Sequence, residues 1–362
     1  MPFWEAVIKK IIHVDADCFF AALEMRDNPH YKAVPLAVGG DPGRRGVIAT
    51  CNYVARQYGV HSAMASAYAM RLCPALVIVQ PNFERYRSAS LQMREIFTQY
   101  TDQIEPLSLD EAYLDVSESE QFKGSATLIA EDIRQTIHKN IGITVSAGIA
   151  PVKFLAKIAS DWRKPNGVFT VAPPQVQRFV RELPLKLLPG VGKVTSERLA
   201  RFGLYYCKDV LDTDESLLIR HFGSFGHNLI KMSKGVDDRA VLSEHDRKSL
   251  SVERTYAEDV QHIAVLNNYL DDLIEALRHR HAGLSEEYYV KKLFIKLKFN
   301  DFSQTTMEMP LVQCSDPFSS SEFQRLLQVS WRRQNRPVRL LGIGFRVSKS
   351  ITCSEQLLLP LR

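Results

Sequence analysis

The stretch IIHVDADCFF, residues 11–20, decides the fold class, because its opening apolar run predicts a buried strand that ends at Asp15. Similar strand patterns occur at residues 113–116 and 143–149, and a helical pattern covers residues 125–140 between them. Strands that alternate with helices predict an α+β arrangement in which helices cover a mixed sheet. The sequence therefore indicates an acid at the end of a buried strand.

The length and charge of the chain indicate several domains and a basic C-terminal part. Its 362 residues, 45% of them hydrophobic, suffice for two or more packed domains. The formal charge is only +5, but residues 289–362 hold 12 Lys and Arg against 5 Asp and Glu. Such asymmetry favours contact with a polyanion, although a solvated charged face gives the same count.

The cysteines and the apolar runs exclude several classes of protein. The six cysteines are scattered and include no Cys-x-x-Cys pair, so neither a disulfide framework nor a zinc site is indicated. No apolar run approaches the roughly 18 residues of a membrane span, and the N-terminus lacks the pattern of a signal peptide. We therefore expect a soluble, unprocessed protein of a reducing cytoplasm.

Asp15 and the pair Asp110-Glu111 are candidate metal ligands. They lie 95 residues apart, and each follows an apolar, strand-like run, so neighbouring strands could bring them to one sheet edge. Three carboxylates at one point repel each other unless divalent cations lie between them, and Mg²⁺ favours oxygen ligands. Two ions about 4 Å apart activate a hydroxyl and stabilise a leaving pyrophosphate, as in polymerases and several nucleases. Surface acids that simply end strands fit the same spacing.

The residues around these acids resemble the catalytic motifs of the Y-family of DNA polymerases. The two motifs are DADCFFAALE at residues 15–24 and SLDEAYLD at residues 108–115. Further matches follow in the order and spacing of the family: NYVAR at 52–56, SAGIA at 146–150, KIASD at 157–161 and KPNG at 164–167. The resemblance extends over nearly the whole chain.

This resemblance implies a right-hand polymerase with a C-terminal little-finger domain. The composition changes to short amphipathic helices after Pro173 and Pro174, and a polar link covers residues 243–249. The implied divisions are palm at 1–17 and 74–172, fingers at 18–73, thumb with a helix-hairpin-helix motif at 173–240, linker at 241–249, little finger at 250–353 and a clamp-binding tail at 354–362.

The resemblance also implies the metal site. In this assignment Asp15, Asp110 and Glu111 are the catalytic acids and hold two Mg²⁺ ions. The backbone carbonyl of Ala16 supplies a further oxygen ligand. Asp17 is not a ligand in the family, and we expect it to support its neighbours instead.

Three side chains are expected to hold the incoming triphosphate. Tyr53 and Arg56 are three residues apart, so a helix places them on one face. The resemblance puts that face over the phosphates, and Lys164 completes the cationic clamp. Arginine suits phosphate because its planar fork donates two parallel hydrogen bonds. Without the flanking motif, a solvated surface arginine is the simpler interpretation of Arg56.

Aromatic side chains beside the first acid are expected to select the sugar. The resemblance makes Phe20 the steric gate, whose apolar ring lies where a ribose 2′-hydroxyl would project and offers it no hydrogen bond. It places Phe19 beneath the sugar or the new base pair, and it makes Tyr86 a weaker candidate near the template pair. Taken alone, an aromatic residue at such a position more often belongs to the core.

A glycine-rich turn is expected to bind the DNA backbone. Gly190, Gly192 and Lys193 precede a helical pattern and resemble the hairpin of a helix-hairpin-helix motif. Amides exposed at such a helix start bind a phosphate without reading sequence. A helix cap gives the same pattern.

A basic strand is the second expected DNA contact. In residues 291–299, apolar side chains alternate with lysines, so one face packs while the other can follow a phosphate backbone. Lys296 and Lys298, together with Arg339 further along the chain, are the expected contacts. Binding through them should be sensitive to salt and independent of sequence.

The C-terminal segment QLLLPL, residues 356–361, resembles the peptide by which bacterial polymerases bind their sliding clamp. Gln356, Leu357 and Leu359 are the expected anchors. The strongest versions of that peptide carry an aromatic residue where this chain has Pro360 and Leu361. A frayed apolar tail is the alternative interpretation.

These expectations combine into a template-directed, DNA-dependent DNA polymerase of low fidelity for synthesis across damaged templates. We expect a cytoplasmic monomer that acts on primer-template DNA and deoxynucleoside triphosphates and lacks a proofreading exonuclease. A non-enzymatic DNA-binding protein would explain the hairpin and the basic strand but would not require the three acids. A nucleotide cyclase with a palm-like sheet would explain the acids but needs neither the hairpin nor the clamp peptide.

Overall fold

The computed structural model describes residues 8–244, 246–311 and 316–350. The chain divides into two compact units, Met1–Glu244 and His245–Arg362. This division falls within the expected linker, whereas the finer domain boundaries stay predictions. None of the described helices is long and apolar enough to cross a membrane.

The described part of the first unit contains eight strands and eleven α-helices. The strands are β1 (Ile11–Ala16), β2 (Leu36–Gly39), β3 (Ile48–Cys51), β4 (Val77–Val79), β5 (Ile104–Pro106), β6 (Glu111–Asp115), β7 (Val145–Ala150) and β8 (Val168–Thr170). The helices are α1 (Phe19–Asp27), α2 (Tyr53–Gln57), α3 (Ser66–Leu72), α4 (Phe83–Phe97), α5 (Ala126–Ile141), α6 (Lys153–Asp161), α7 (Val176–Arg181), α8 (Lys193–Ala200), α9 (Cys207–Leu211), α10 (Glu215–Phe222) and α11 (Ser224–Ser233).

Strand β1 lies at the centre of a five-stranded sheet with the order β5-β6-β1-β7-β8. Ile12 and Val14 pack on one face of this sheet with residues of α1, α4 and α5. Ile11 packs on the other face with residues of α6. Because both faces of β1 are covered, its apolar run is continuous rather than alternating. Strands β2, β3 and β4 form a separate small sheet with the order β3-β2-β4.

The position of strand β6 corrects the expectation that Asp110 and Glu111 lie at the end of a strand. Glu111 is the first residue of β6, and Asp110 lies in the bend between β5 and β6, so neither acid stands at the C-terminal end of a strand. Since β6 runs antiparallel to β1, its first residue meets the end of β1. The acids reach one sheet edge, but through the start of one strand and the end of the other.

The second unit is a four-stranded antiparallel sheet packed against two helices. Its elements are β9 (Ser249–Val260), α12 (Ile263–Ala282), β10 (Tyr288–Phe299), β11 (Gln304–Pro310), α13 (Ser320–Arg332) and β12 (Val338–Lys349), and the strand order is β11-β10-β12-β9. The alternating apolar residues of β10 are fully buried beside α12 and α13, as the sequence pattern predicts: Leu293, Ile295, Leu297 and Phe299. The sequence patterns gave no indication of β9 and β11.

Candidate active site

Asp15 and Glu111 face each other across the pair formed by β1 and β6. They are direct partners in the antiparallel register, so their side chains project from the same face of the sheet. His13 lies two residues before Asp15 and therefore shares that face. One potential ligand atom from each of His13, Asp15 and Glu111 lies within 4.8 Å of the others.

Asp110 lies beside this group rather than in it. Its backbone carbonyl accepts a hydrogen bond of 2.9 Å from the Ala16 amide, which ties the bend to the end of β1. Its carboxylate accepts a hydrogen bond of 2.5 Å from the Ser108 hydroxyl. Asp110 and Asp15 both line a cavity of about 190 Å³, whereas Glu111 is not among the lining residues. Asp15 is thus common to the cluster and the cavity.

Two lysines form ion pairs with Asp15 and Glu111. Lys164 Nζ lies 2.8 Å from Asp15 Oδ1, and Lys157 Nζ pairs with Glu111 Oε2. Burial raises the pKa of Asp15 to about 6, although Lys164 opposes the rise. Contact with His13 and with Lys157 lowers the pKa of Glu111 to about 2. Both carboxylates are therefore ionised at neutral pH.

His13 is the residue of this group that the sequence analysis did not identify. Its ring is completely buried, and Nε2 lies 3.3 Å from Glu111 Oε2 without the alignment of a good hydrogen bond. Burial lowers the pKa of His13, so the positive charge beside Glu111 belongs to Lys157. A histidine inside an apolar strand carries no sequence signal that separates a site residue from a core residue.

The cavity brings together the residues expected to bind the nucleotide. Besides the two acids, its lining includes Ala16, Phe19, Phe20, Tyr53, Arg56 and Lys164. The guanidinium carbon of Arg56 lies 4.8 Å from the centre of the Tyr53 ring, because both residues share one face of α2. The Asn52 side chain caps α2 by accepting a hydrogen bond of 2.9 Å from the Ala55 amide. This cap fixes the start of the helix that carries both side chains.

The neighbouring aromatic rings differ in exposure. Phe19 is 2% exposed and belongs to the core, while Phe20 is partly exposed and packs against it. Tyr86 is completely buried and stacks on Phe20. Tyr86 therefore supports Phe20 from the core, and its expected place near the template pair stays a prediction.

Asp17 is occupied by hydrogen bonds of the fold. Its Oδ1 accepts a bond of 2.8 Å from Ser146 Oγ, and its Oδ2 accepts a bond of 2.8 Å from the Asn166 amide. The Tyr53 hydroxyl lies 3.4 Å from Oδ1. Asp17 therefore braces the segment that carries Lys164 against β7.

The glycine-rich turn precedes helix α8. Gly190 has a φ of 86°, a conformation that glycine adopts without strain. Gly192 is the N-cap of α8, and a side chain there would meet no atom within 4 Å. Gly192 and Lys193 are exposed, so the first amides of α8 lie at an open surface.

The basic residues of the second unit fall into two groups. Lys296 lies 2.9 Å from Glu253, which pairs it with an acid of the adjacent sheet. Lys298 and Arg339 instead lie over the ring of Phe302, at 4.9 and 4.8 Å from its centre. No ion pair of Lys298 or Arg339 occurs within residues 8–244, 246–311 and 316–350. These two cations share one exposed aromatic support.

Three family models match the chain. The model of the impB/mucB/samB family matches residues 14–161, and the model of the C-terminal domain of that family matches residues 247–350. The model of the DNA polymerase-iota thumb domain matches residues 186–237. The matches include the cluster of acids, the hairpin and the basic sheet.

Relatives and solved structures agree with the family models. The DNA polymerase IV of Pseudomonas entomophila (strain L48) is 53% identical over 350 residues, which cover 97% of this chain and 98% of the relative. A solved Y-family DNA polymerase chimera of Dbh and Dpo4 superposes with a TM-score of 0.85 at 29% identity, covering 93% of this chain and 98% of the chimera. An insertion ternary complex of Dbh DNA polymerase gives a TM-score of 0.66 at 28% identity, covering 94% and 100%.

Proposed function

The chain belongs to the DNA polymerase IV branch of the Y-family of DNA polymerases, and on this basis we propose that Asp15, Asp110 and Glu111 hold the metal ions of its active site. It is a DNA-directed DNA polymerase of translesion synthesis. A two-metal mechanism and the lack of proofreading are typical of this family. The observation that carries the proposal is the register that sets Asp15 opposite Glu111, with Asp110 hydrogen-bonded to the end of β1.

The donor set fits hard divalent cations. Y-family polymerases depend on metal ions, and the oxygens gathered here are carboxylates with the Ala16 backbone nearby. Burial of Asp15 beside Glu111 disfavours its ionised form, and a cation would offset that cost. We propose two Mg²⁺ ions, since Mg²⁺ prefers such oxygens. When bound, they would activate the primer hydroxyl and stabilise the leaving pyrophosphate.

The residues of this chain would then bind and orient the nucleotide. Tyr53, Arg56 and Lys164 line the same cavity as Asp15 and supply donors for the triphosphate. Phe20 serves as the steric gate that excludes a ribose 2′-hydroxyl, and Phe19 supports it from the core. The partial exposure of Phe20 in the cavity wall supports this division of roles.

Primer-template DNA is the proposed macromolecular substrate. Gly190, Gly192 and Lys193 would bind one phosphate through the exposed start of α8. Lys298 and Arg339 would bind others, and Lys296 would contribute less because Glu253 already neutralises it. These contacts carry no base specificity, which suits an enzyme that copies any sequence.

We propose the division into palm, fingers, thumb and little finger with the boundaries given in the sequence analysis. We also propose that the protein is a cytoplasmic monomer. The expected clamp anchors, Gln356, Leu357 and Leu359, lie outside the described residues. We expect deletion of residues 356–362 to reduce the length of products made with a sliding clamp. Synthesis without the clamp should be unchanged, and equal loss in both assays would contradict the proposed tail.

Primer extension tests the proposed acids. With Mg²⁺ and a primed template, the wild-type protein should extend the primer, and Asp110→Asn should abolish extension while DNA binding persists. Asp102→Asn, at an exposed position away from the cluster, is the matched control and should extend normally. Free nucleoside triphosphates should yield no cyclic product. Extension by Asp110→Asn at the wild-type rate would overturn the assignment.

A further inference from the structure

His13 is held rigidly beside the proposed metal ligands. The ring is completely buried on β1, and its Nδ1 lies 2.8 Å from Ser160 Oγ on α6. On the other side it contacts the ring of Tyr113, with the two centres 4.8 Å apart. A ring that is held at two sides in a close-packed core has one orientation.

In that orientation Nε2 lies beside the Glu111 carboxylate. The distance to Oε2 is 3.3 Å, and Nε2 forms no hydrogen bond within the part of the chain that the structure describes. A buried polar atom without a good partner is destabilising, and the group within reach of Nε2 is the Glu111 carboxylate.

Ser160 decides which ring nitrogen carries the hydrogen. Its hydroxyl has a single hydrogen and two acceptors within 2.8 Å, the Lys157 carbonyl and His13 Nδ1. A bare Nε2 lone pair would face the ionised Glu111 carboxylate and repel it, so the ring hydrogen is favoured on Nε2, and the Ser160 hydroxyl then donates to Nδ1 instead of to the Lys157 carbonyl. Helix α6 then holds Glu111 twice, directly through the Lys157 ammonium and indirectly through Ser160 and His13.

We propose that His13 is a positioning residue for Glu111: when Oε1 binds a divalent cation, Oε2, which lies 3.3 Å from Nε2, accepts a hydrogen bond from Nε2–H. Lys157 contacts the same oxygen, and no residue within 8–244 donates a hydrogen bond to Oε1. Partners behind a ligand commonly change metal affinity or activity by about 10- to 100-fold. The inference rests on the proposed role of Glu111 as a metal ligand.

Paired substitutions separate positioning from packing. His13→Leu keeps much of the volume but removes the donor, whereas the amide nitrogen of His13→Gln reaches the position of Nε2. We expect His13→Leu to slow single-turnover nucleotide addition by about 10- to 100-fold and to raise the Mg²⁺ concentration for half-maximal rate. His13→Gln should recover most of both losses. DNA binding should be unchanged, and His138→Leu on the exposed side of α5 is the control.

The outcomes distinguish this inference from the proposed function. A wild-type protein that adds no nucleotide would overturn the proposed function itself. An active wild type with a normal Mg²⁺ dependence in His13→Leu, or a glutamine variant as impaired as the leucine variant, would overturn only the role of His13. If His13→Leu fails to fold, Ser160→Ala tests the same link, because it removes the partner of Nδ1. A wild-type Mg²⁺ dependence in Ser160→Ala would also overturn the inference.

Discussion

The ring of Phe20 lies flat against the ring of Tyr86, with the centres 4.3 Å apart and the planes 13° apart. The Tyr86 hydroxyl donates a hydrogen bond of 2.6 Å to Glu24 Oε1. Arg85 lies 3.2 Å from the other oxygen of that carboxylate. Stacking on a buried and tethered ring fixes the plane of Phe20 at the wall of the cavity.

This relationship predicts the effect of Phe20→Val on sugar selection. Removing the ring leaves space for a 2′-hydroxyl, so incorporation of ribonucleotides should rise by about 10- to 100-fold relative to deoxyribonucleotides. Single-nucleotide addition with matched ATP and dATP measures the ratio. Phe202→Val, which changes a ring far along the chain, should keep the wild-type ratio. An unchanged ratio in Phe20→Val would remove Phe20 as the gate.

The raised pKa of Asp15 predicts that Mg²⁺ stabilises the protein less in acid. Folding raises this pKa from 3.8 to about 6, so without ions the folded chain holds the Asp15 proton more tightly than the unfolded chain. The ionised carboxylate therefore costs stability increasingly as the pH rises from about 4 to 6. A cation offsets that cost but must first displace the proton below about pH 6.

Thermal unfolding with and without Mg²⁺ measures whether the stabilisation by Mg²⁺ decreases as the pH falls. The increase in Tm caused by Mg²⁺ should be clear at about pH 7.5 and small at about pH 5. Asp15→Asn should remove the increase at both pH values, whereas Asp102→Asn should keep it. An increase that is equal at both pH values in the wild type would show that Asp15 does not control ion binding.

The two groups of cations in the second unit predict different salt dependences. Each phosphate contact changes the slope of the logarithm of the DNA-binding constant against the logarithm of the salt concentration by about 0.9. Lys298→Ala and Arg339→Ala should therefore each reduce the steepness of this slope by about 0.9. Lys296→Ala should change the slope less, because Glu253 competes for that ammonium. Fluorescence anisotropy with labelled duplex at several salt concentrations measures the slopes. Equal changes of slope in all three variants would contradict the division of these cations into two groups.

The sequence predicted those parts of the fold in which apolar residues form a clear pattern along the chain. The apolar run of β1 predicted a strand because both faces of β1 are buried. The alternation in β10 predicted a strand because only one of its faces is buried. Strands β9 and β11 were missed, since both lie at sheet edges and carry many exposed polar residues. The antiparallel direction of β6 depends on pairing and was also not predictable from its own residues.

The site was predicted less completely than the fold. The motifs predicted Asp15, Asp110 and Glu111 as metal ligands, and this role stays a prediction. The displacement of Asp110 from the His13 cluster depends on the bend at Ser108. The position of His13 behind Glu111 follows from the register of two strands. Long-range contacts of this kind leave no periodic signal in one sequence.

Counting bound Mn²⁺ ions tests whether Asp15 and Asp110 hold two metal ions, and this count does not depend on turnover. The protein would be bound to a primer that ends in a dideoxynucleotide and to the next deoxynucleoside triphosphate, and Mn²⁺ would be titrated by electron paramagnetic resonance. We expect two ions per wild-type complex and fewer in Asp15→Asn and in Asp110→Asn. Two ions bound with wild-type affinity in both variants would contradict it.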